Sequence, residues 1–164
     1  MGFRPISPSA TQSTDGIAVS AYKEGVDRTL LNAMLLIASE TIRTNRTLMN
    51  VVREMSFTLS FFASAGKFAE LMLGQSRRIV LLTEADVTAE ALRTLKGAKD
   101  RAPFGIIIAA DRASLRSTHQ AELVDKLAGF DNIEWVGQGF DFDRLSASAR
   151  RCRRRMLRVS RQEL

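Results

Sequence analysis

The chain has 164 residues, of which 45% are hydrophobic and 26% are charged, values typical of a globular domain with a single core. Its one cysteine, Cys152, excludes an internal disulfide framework and a multi-cysteine metal site, and it indicates a reducing cytoplasm. No apolar run approaches the roughly 20 residues that a membrane helix needs, so we expect no membrane contact.

The net charge of +6 is concentrated at the end of the sequence. Residues 144–164 contain eight arginines and one acidic residue, Glu163, so this segment carries +7 and the remaining residues carry −1. Basicity is therefore a property of the terminus and not of the domain as a whole.

Residues 1–29 contain two prolines and several serines and threonines, which predicts a flexible tail with a short helix near residues 17–22. After this tail, apolar runs alternate with segments of helical periodicity. Thr88 is the predicted N-cap of the third helix. The predicted strands are 32–39, 57–64, 78–83, 104–110 and 132–137, and the predicted helices are 41–55, 66–76, 88–101, 114–130 and 141–159.

Five strand–helix pairs with continuous apolar strands predict an α/β fold, in which a parallel sheet is covered by helices on both faces. The size of the chain and the right-handed rule for crossovers favour a doubly wound, five-stranded, flavodoxin-like sheet of order 2-1-3-4-5. Such sheets bind ligands at the carboxyl ends of their strands. Functional side chains are therefore expected where these strands end.

Four segments carry a resemblance to a known family. The last strand, turn and helix read "WVGQGFDFDRLSASARRCRRRM", and three earlier strands end in "LLIASE", "VLLTE" and "IIIAA". In order and spacing they resemble the receiver (CheY-like) domain of bacterial response regulators. The resemblance covers about four-fifths of the chain. It implies a flexible N-terminal tail at 1–29, a receiver-like domain at 30–157 and a basic C-terminal tail at 158–164.

The resemblance also implies where the phosphorylation pocket of the family would lie. The acidic pair that binds Mg²⁺ in receivers falls on Ser39 and Glu40, and the phospho-accepting aspartate falls on Thr83. The hydroxyl residue that contacts the phosphoryl group falls on Ala109, and the lysine falls on Gln138. Only Glu40 keeps a carboxylate where the family has one.

These replacements remove the chemistry of phosphotransfer. A histidine kinase needs a carboxylate acceptor, because the product is an acyl phosphate. Mg²⁺ needs several hard oxygen ligands, and without a lysine no charge holds the phosphoryl oxygens. We therefore expect a degenerate pocket with no catalytic residue, no metal and no cofactor. A slip of one residue would instead place Glu84 at the acceptor position as a mimic of phosphoaspartate, but it would turn the buried run inside out.

The arginine-rich end has two interpretations. An apolar stripe at helical spacing (Leu145, Ala149, Cys152, Met156 and Val159) predicts a final helix that packs on the sheet and holds its arginines in solvent. Alternatively, the arginines form a site for an anion or nucleotide, since guanidinium groups suit bidentate phosphate contacts and stacking on bases. The candidate residues are Arg150, Arg151, Arg153, Arg154, Arg155 and Arg158. Some CheY-like proteins with arginine-rich segments bind cyclic di-GMP. The resemblance therefore implies an alternative function, that of a cyclic di-GMP effector which binds the dinucleotide through its last helix. Nucleic acid is a less favoured ligand.

Two aromatic residues flank the altered turn, Trp135 and Phe140. Both are candidates for core packing or for contact with a partner. His119, the sole histidine, lies on the apolar stripe of its helix and is expected in the core rather than in a catalytic site.

The favoured function is that of a pseudo-receiver, a cytoplasmic adaptor or regulator that works through protein contacts and is not an enzyme. Its expected partner is a kinase, a regulator or a motility or signalling component. By similarity to receivers, the last two helices and the last strand form the predicted interface. A homodimer through this face is a further option, opposed by its like-charged arginines.

Overall fold

In the computed structural model, the described part of the chain comprises residues 34–74, 76–117 and 121–162, with side chains described through Arg158. The predicted tail at 1–29, its short helix near residues 17–22 and His119 lie outside these residues.

Five parallel strands form one sheet in the order β2-β1-β3-β4-β5. The strands are β1 (Leu35–Ser39), β2 (Thr58–Phe62), β3 (Arg78–Thr83), β4 (Phe104–Ala109) and β5 (Ile133–Trp135). The predicted fold class, a doubly wound α/β sheet of flavodoxin-like order, is confirmed. The order changes direction between β1 and β3, the point at which such sheets place their ligands.

Six α-helices connect and cover the strands in the described residues. They are α1 (Arg46–Met55), α2 (Ala65–Met72), α3 (Ala89–Ala98), α4 (Arg112–Leu115), α5 (Ala121–Leu127) and α6 (Phe142–Gln162). Two short 3-10 turns, Glu40–Ile42 and Glu84–Asp86, follow β1 and β3.

Side-chain caps determine where several helices begin. Asn45 caps α1, its Oδ1 accepting from the backbone N–H of Leu48 at 2.9 Å, so the helix begins five residues after the predicted start. Thr88 caps α3 as predicted, its Oγ1 accepting from the N–H of Ala91 at 3.1 Å. The final helix continues to Gln162 and so includes most of residues 158–164, the segment predicted to be a basic tail.

The core consists of one apolar cluster on each face of the sheet. Ile37, Val80 and Ile106 face one cluster, while Leu36, Leu81 and Ile107 face the other. Such alternation within wholly apolar strands is typical of a sheet buried on both faces.

Helix α6 packs on the face of the sheet that contains Leu36, Leu81 and Ile107, with four residues of the predicted stripe inward. The side chain of Val159, the fifth, lies outside the described residues. Leu145, Ala149, Cys152 and Met156 are each at most 2% exposed. The helix approaches β4 at Gly105, where a Cβ atom would lie only 2.8 Å from the Cβ of Cys152. Among the described residues, no helix combines the length and apolar character that crossing a bilayer requires.

Candidate functional site

The carboxyl edge of the sheet brings the predicted pocket positions to one side of the molecule. Ser39, Thr83 and Ala109 are the last residues of β1, β3 and β4. Thr83 and Ala109 are register partners across β3 and β4. Gln138 follows β5 by three residues. The arrangement matches the edge at which this fold presents its ligands.

Thr83, to which the resemblance to receivers assigns the position of the phospho-acceptor, is engaged in a local cap. Its hydroxyl donates to Oδ2 of Asp86 at 2.7 Å, and its backbone N–H donates to the same oxygen at 2.9 Å. The Thr-x-x-Asp spacing that produces this cap is visible in the sequence. Thr83 therefore serves to hold the turn Glu84–Asp86, and its hydroxyl faces a carboxylate.

Gln138 contacts Glu84 and not Thr83. Its amide Nε2 donates to Oε1 of Glu84 at 2.8 Å, which ties the loop after β5 to the turn after β3. Glu84 itself lies outside the strand, as the first residue of the 3-10 turn. A neutral amide bonded to a carboxylate thus joins the two loops in place of a lysine charge.

Glycine is needed in this loop at residue 137. Gly137 has a φ of +79°, in the left-handed region that favours glycine. A Cβ atom there would also lie 3.5 Å from Nη1 of Arg144. A Cβ atom added at Gly139 would meet no atom within 4 Å, so there is space for a side chain at that residue.

Ser39 and Glu40, to which the resemblance assigns the positions of the metal-binding acids, lie in different environments. Ser39 is 3% exposed, and its Oγ lies 3.0 Å from Oγ1 of Thr41. Glu40 is only partly buried, and it pairs with Arg43 at 2.7 Å. Within the described ranges, no group of three or more His, Cys, Asp and Glu residues could hold a metal ion.

A cavity of about 450 Å³ lies beside β1, and its wall includes Ser39, Glu40 and Asp86. Glu90 adds a third carboxylate, and Phe68 is part of the apolar wall. No lysine or arginine of the described residues lines this cavity. Arg43 balances Glu40 from outside the lining, so a phosphate would meet the charges of Asp86 and Glu90 with no basic side chain of the described lining to offset them.

Half of the predicted arginine cluster is paired within the domain. Arg150 donates to Glu54 of α1 at 2.9 Å. Arg151 and Arg155 both contact Glu134 of β5, at 2.7 and 2.6 Å. These three arginines fasten α6 to its neighbours, so the cluster is not a uniform set of free cations.

Glu134 is the centre of the stronger pair. Its side chain is 11% exposed. Burial by itself raises the pKa of this carboxyl, but hydrogen bonds from Arg151 and Arg155 and the charges of both outweigh burial, so the pKa lies below its usual value. The carboxylate is therefore ionised and held by both guanidinium groups.

Three of the six candidate arginines make no ion pair with any other described side chain: Arg153, Arg154 and Arg158. Arg154 and Arg158 are exposed. These residues carry the cationic character of the helix surface, and the prediction that they bind an anion stays a prediction.

The two aromatic candidates both contribute to packing. Trp135 is partly buried against the core on one face of the sheet, and Phe140 packs against the other cluster. The guanidinium of Arg112 lies 5.9 Å from the centroid of the Trp135 ring. A role of either ring in partner contact stays a prediction.

The most unexpected side chain is Arg78, the first residue of β3, which is 2% exposed. Its Nε donates to the carbonyl of Ser76 at 2.8 Å and its Nη1 to that of Met72 at 2.8 Å, while Nη2 donates to Gly74. It thus satisfies carbonyls at the end of α2. A charged residue at the start of an apolar run carries no sequence signal for this role.

Comparison with known proteins adds support for the fold alone. No protein-family model matches the chain, and no curated protein matches it. A solved structure of a fusion protein that contains a trimeric coiled-coil segment of yeast Spc42 matches 78% of this chain and 82% of that chain, with a TM-score of 0.55 and 12% identity. The match spans far more residues than the coiled-coil segment contains, so it reflects the part to which this segment is fused.

Proposed function

We propose that this protein is a pseudo-receiver, a phosphorylation-independent adaptor or regulator in bacterial two-component-type signalling. In this proposal it works in the cytoplasm through protein contacts and catalyses no reaction. The observation that carries the proposal is the Thr83–Asp86 hydrogen bond at 2.7 Å. By the resemblance to receivers, this hydroxyl, already bonded to a carboxylate, stands where phosphotransfer requires a carboxylate nucleophile.

The surroundings of Thr83 support the same conclusion. Gln138 bonds to Glu84 and provides no charge for a phosphoryl group. The adjacent cavity has carboxylates in its wall and no basic side chain among the described residues. Regulation through acyl phosphate chemistry would need a carboxylate acceptor, ligands for a metal and a cation together. The resemblance to receivers assigns the acceptor and the cation to Thr83 and Gln138, whose side chains supply neither.

Incubation with acetyl phosphate and Mg²⁺, followed by intact-mass measurement, tests this part of the proposal. We expect no phosphoryl adduct on the wild-type protein. Thr83→Asp serves as the matched comparison, because it restores the acceptor carboxylate alone. An adduct on the wild-type chain at Glu40 or Glu84 would show that the pocket is active and would overturn the proposal.

We further propose that the partner binds the face formed by α5, β5 and α6. These elements carry exposed Lys126, exposed Arg154 and the partly buried Trp135, which suits a partner with an acidic surface. The expected partner is a kinase, a regulator or a motility or signalling component, and a second copy of the chain is the other option.

Site-specific photo-crosslinking in cells tests this face. A photoreactive residue at Lys126 or Arg154, both exposed, should give a discrete crosslink to one protein. The same residue at Glu70 or Arg93, exposed on α2 and α3, should not. Crosslinks only from α2 and α3, or none from any position, would refute the proposed interface.

A further inference from the structure

A second cleft lies at the opposite, amino edge of the sheet. It has a volume of about 730 Å³ and is bounded by the loop 99–103, the first residue of β4 and the residues just before β5. The carboxyl-terminal part of α6 forms its remaining wall. Small-molecule sites commonly have volumes between about 300 and 1,000 Å³, so the cleft has the size of a ligand site.

Basic side chains converge on this cleft from two distant parts of the sequence. Lys99 and Arg101 come from the loop after α3, and Arg158 comes from α6. Arg155 also lines the cleft, but it pairs with Glu134 at 2.6 Å and shares that carboxylate with Arg151. Arg101 and Arg158 are exposed and have no ion pair with the other described residues. The cleft thus presents cations that are free for an anion.

Two carboxylates, Asp100 and Asp131, belong to the same wall and reduce its positive charge. Lys99, Arg101 and Arg158, which form no ion pair with other described residues, still outnumber these two carboxylates by one. The nearby Arg78 is buried, and burial lowers the pKa of its guanidinium. The positive charge of Arg101 lowers this pKa further. The region therefore contains positive charges that the described carboxylates do not fully balance.

The cleft also has an aromatic wall. Phe104 and Phe130 lie with their ring centroids 6.1 Å apart at an interplanar angle of 55°. Both rings are only partly buried. The ammonium of Lys99 lies 5.2 Å from the centroid of Phe130. The aromatic rings and the cations that would attract a phosphate therefore belong to the same wall.

We propose that this cleft binds a nucleotide. Arg101 and Arg158 contact the phosphate, because guanidinium groups form bidentate contacts with phosphate oxygens. Phe130 and Phe104 contact the base. Lys99 supplies a further positive charge at the junction of the two.

This inference goes beyond the proposed adaptor function and does not depend on it. It also differs from a site spread over the whole arginine-rich helix. Arg150 and Arg151 are held by Glu54 and Glu134, and Arg153 and Arg154 do not line the cleft. Only the end of α6, together with the loop 99–103, takes part.

Titration calorimetry with ATP, GTP and cyclic di-GMP on the full chain tests the proposal. At least one of the three should bind with a Kd below about 1 mM at low salt. Pyrophosphate and adenosine, which supply only the charge or only the base, should each bind at least about tenfold more weakly. The absence of binding by all three nucleotides, or pyrophosphate binding as tightly as they do, would overturn the proposal.

A pair of matched variants locates the site. Arg101→Ala with Arg158→Ala should weaken nucleotide binding at least about tenfold. Arg153→Ala with Arg154→Ala removes the same charge from outside the cleft and should change binding by less than about twofold. Equal losses in the two variants would contradict the cleft and favour a diffuse charge effect.

Asp131→Asn provides a measurement that does not depend on a loss of binding. It removes a negative charge from the wall, so nucleotide should bind more tightly, by about two- to fivefold. Weaker binding in this variant would contradict the proposed position of the phosphate. The acetyl phosphate and crosslinking experiments address the adaptor separately, so either proposal can fail while the other stands.

Discussion

Replacing Glu134 by glutamine should destabilise the protein through the arginines of α6. The carboxylate is 11% exposed and contacts Arg151 and Arg155 at 2.7 and 2.6 Å, while the two arginines are 43% and 31% exposed. Hydrogen bonds to charged groups contribute about 1.5–3 kcal/mol each when they are buried. Because the guanidinium groups retain solvent, we expect about 2 kcal/mol for the whole pair.

The cost should depend on pH in a defined direction. The pKa of Glu134 is lower in the folded protein than in the unfolded chain, since the arginines outweigh the effect of burial. Its contribution is therefore fully present above the unfolded-state pKa, about 4.3, and is lost as the pH falls through the lower folded-state value. The difference between wild type and Glu134→Gln should be constant from pH 7 to about pH 5 and should shrink below about pH 4.3.

Urea denaturation at several pH values measures this difference. Glu54→Gln is the matched control, because Glu54 pairs with Arg150 but both side chains are more than 40% exposed. Its cost should stay below about 1 kcal/mol. Equal costs for the two variants, or a Glu134→Gln cost that does not change at acidic pH, would refute the conclusion that Arg151 and Arg155 are structural.

Three further predictions concern the described core. Gly105→Ala places a Cβ atom 2.8 Å from that of Cys152 and should lower the free energy of unfolding by about 1–3 kcal/mol. In the control Gly97→Ala, in α3, the added Cβ meets no atom within 4 Å, and the free energy of unfolding should rise by up to about 1 kcal/mol. The opposite order in urea denaturation would contradict the packing of α6 on β4. Arg78→Met should cost at least about 3 kcal/mol, because it leaves buried carbonyls at the end of α2 without donors, and an effect as small as that of exposed Arg93→Met would show that the cap is dispensable. Burial raises the pKa of Cys152 to about 12, so iodoacetamide at pH 8 should label it only after addition of urea, and rapid labelling of the native protein would show that the thiol is accessible.

Local patterns predict most of the fold. The apolar runs around Ile37, Val80 and Ile107 are continuous because both faces of these strands are covered by helices. Such a run involves only consecutive residues, so it can be recognised from the sequence alone. The stripe from Leu145 to Met156 predicts the buried face of α6 for the same reason, since helical periodicity is a property of neighbouring residues.

The candidate site is only partly predictable. The absence of an aspartate at Thr83 and of a lysine at Gln138 is visible in the sequence, given the resemblance to receivers. The hydrogen-bond partners of Thr83 and Gln138 are harder to predict from the sequence. The Thr83–Asp86 cap has a recognisable spacing, but the Gln138–Glu84 hydrogen bond joins residues 54 positions apart, and no local pattern relates them.

Composition and periodicity by themselves determined the layers of this protein and the concentration of arginine at its end. Only the tertiary structure decided which arginines remain free. Arg151 and Arg155 share the single negative charge of Glu134, and the loop 99–103 meets Arg158 to form the amino-edge cleft. The physical reason is range: burial follows from a residue's near neighbours along the chain, whereas the energy of a charge depends on groups that folding brings within a few ångströms.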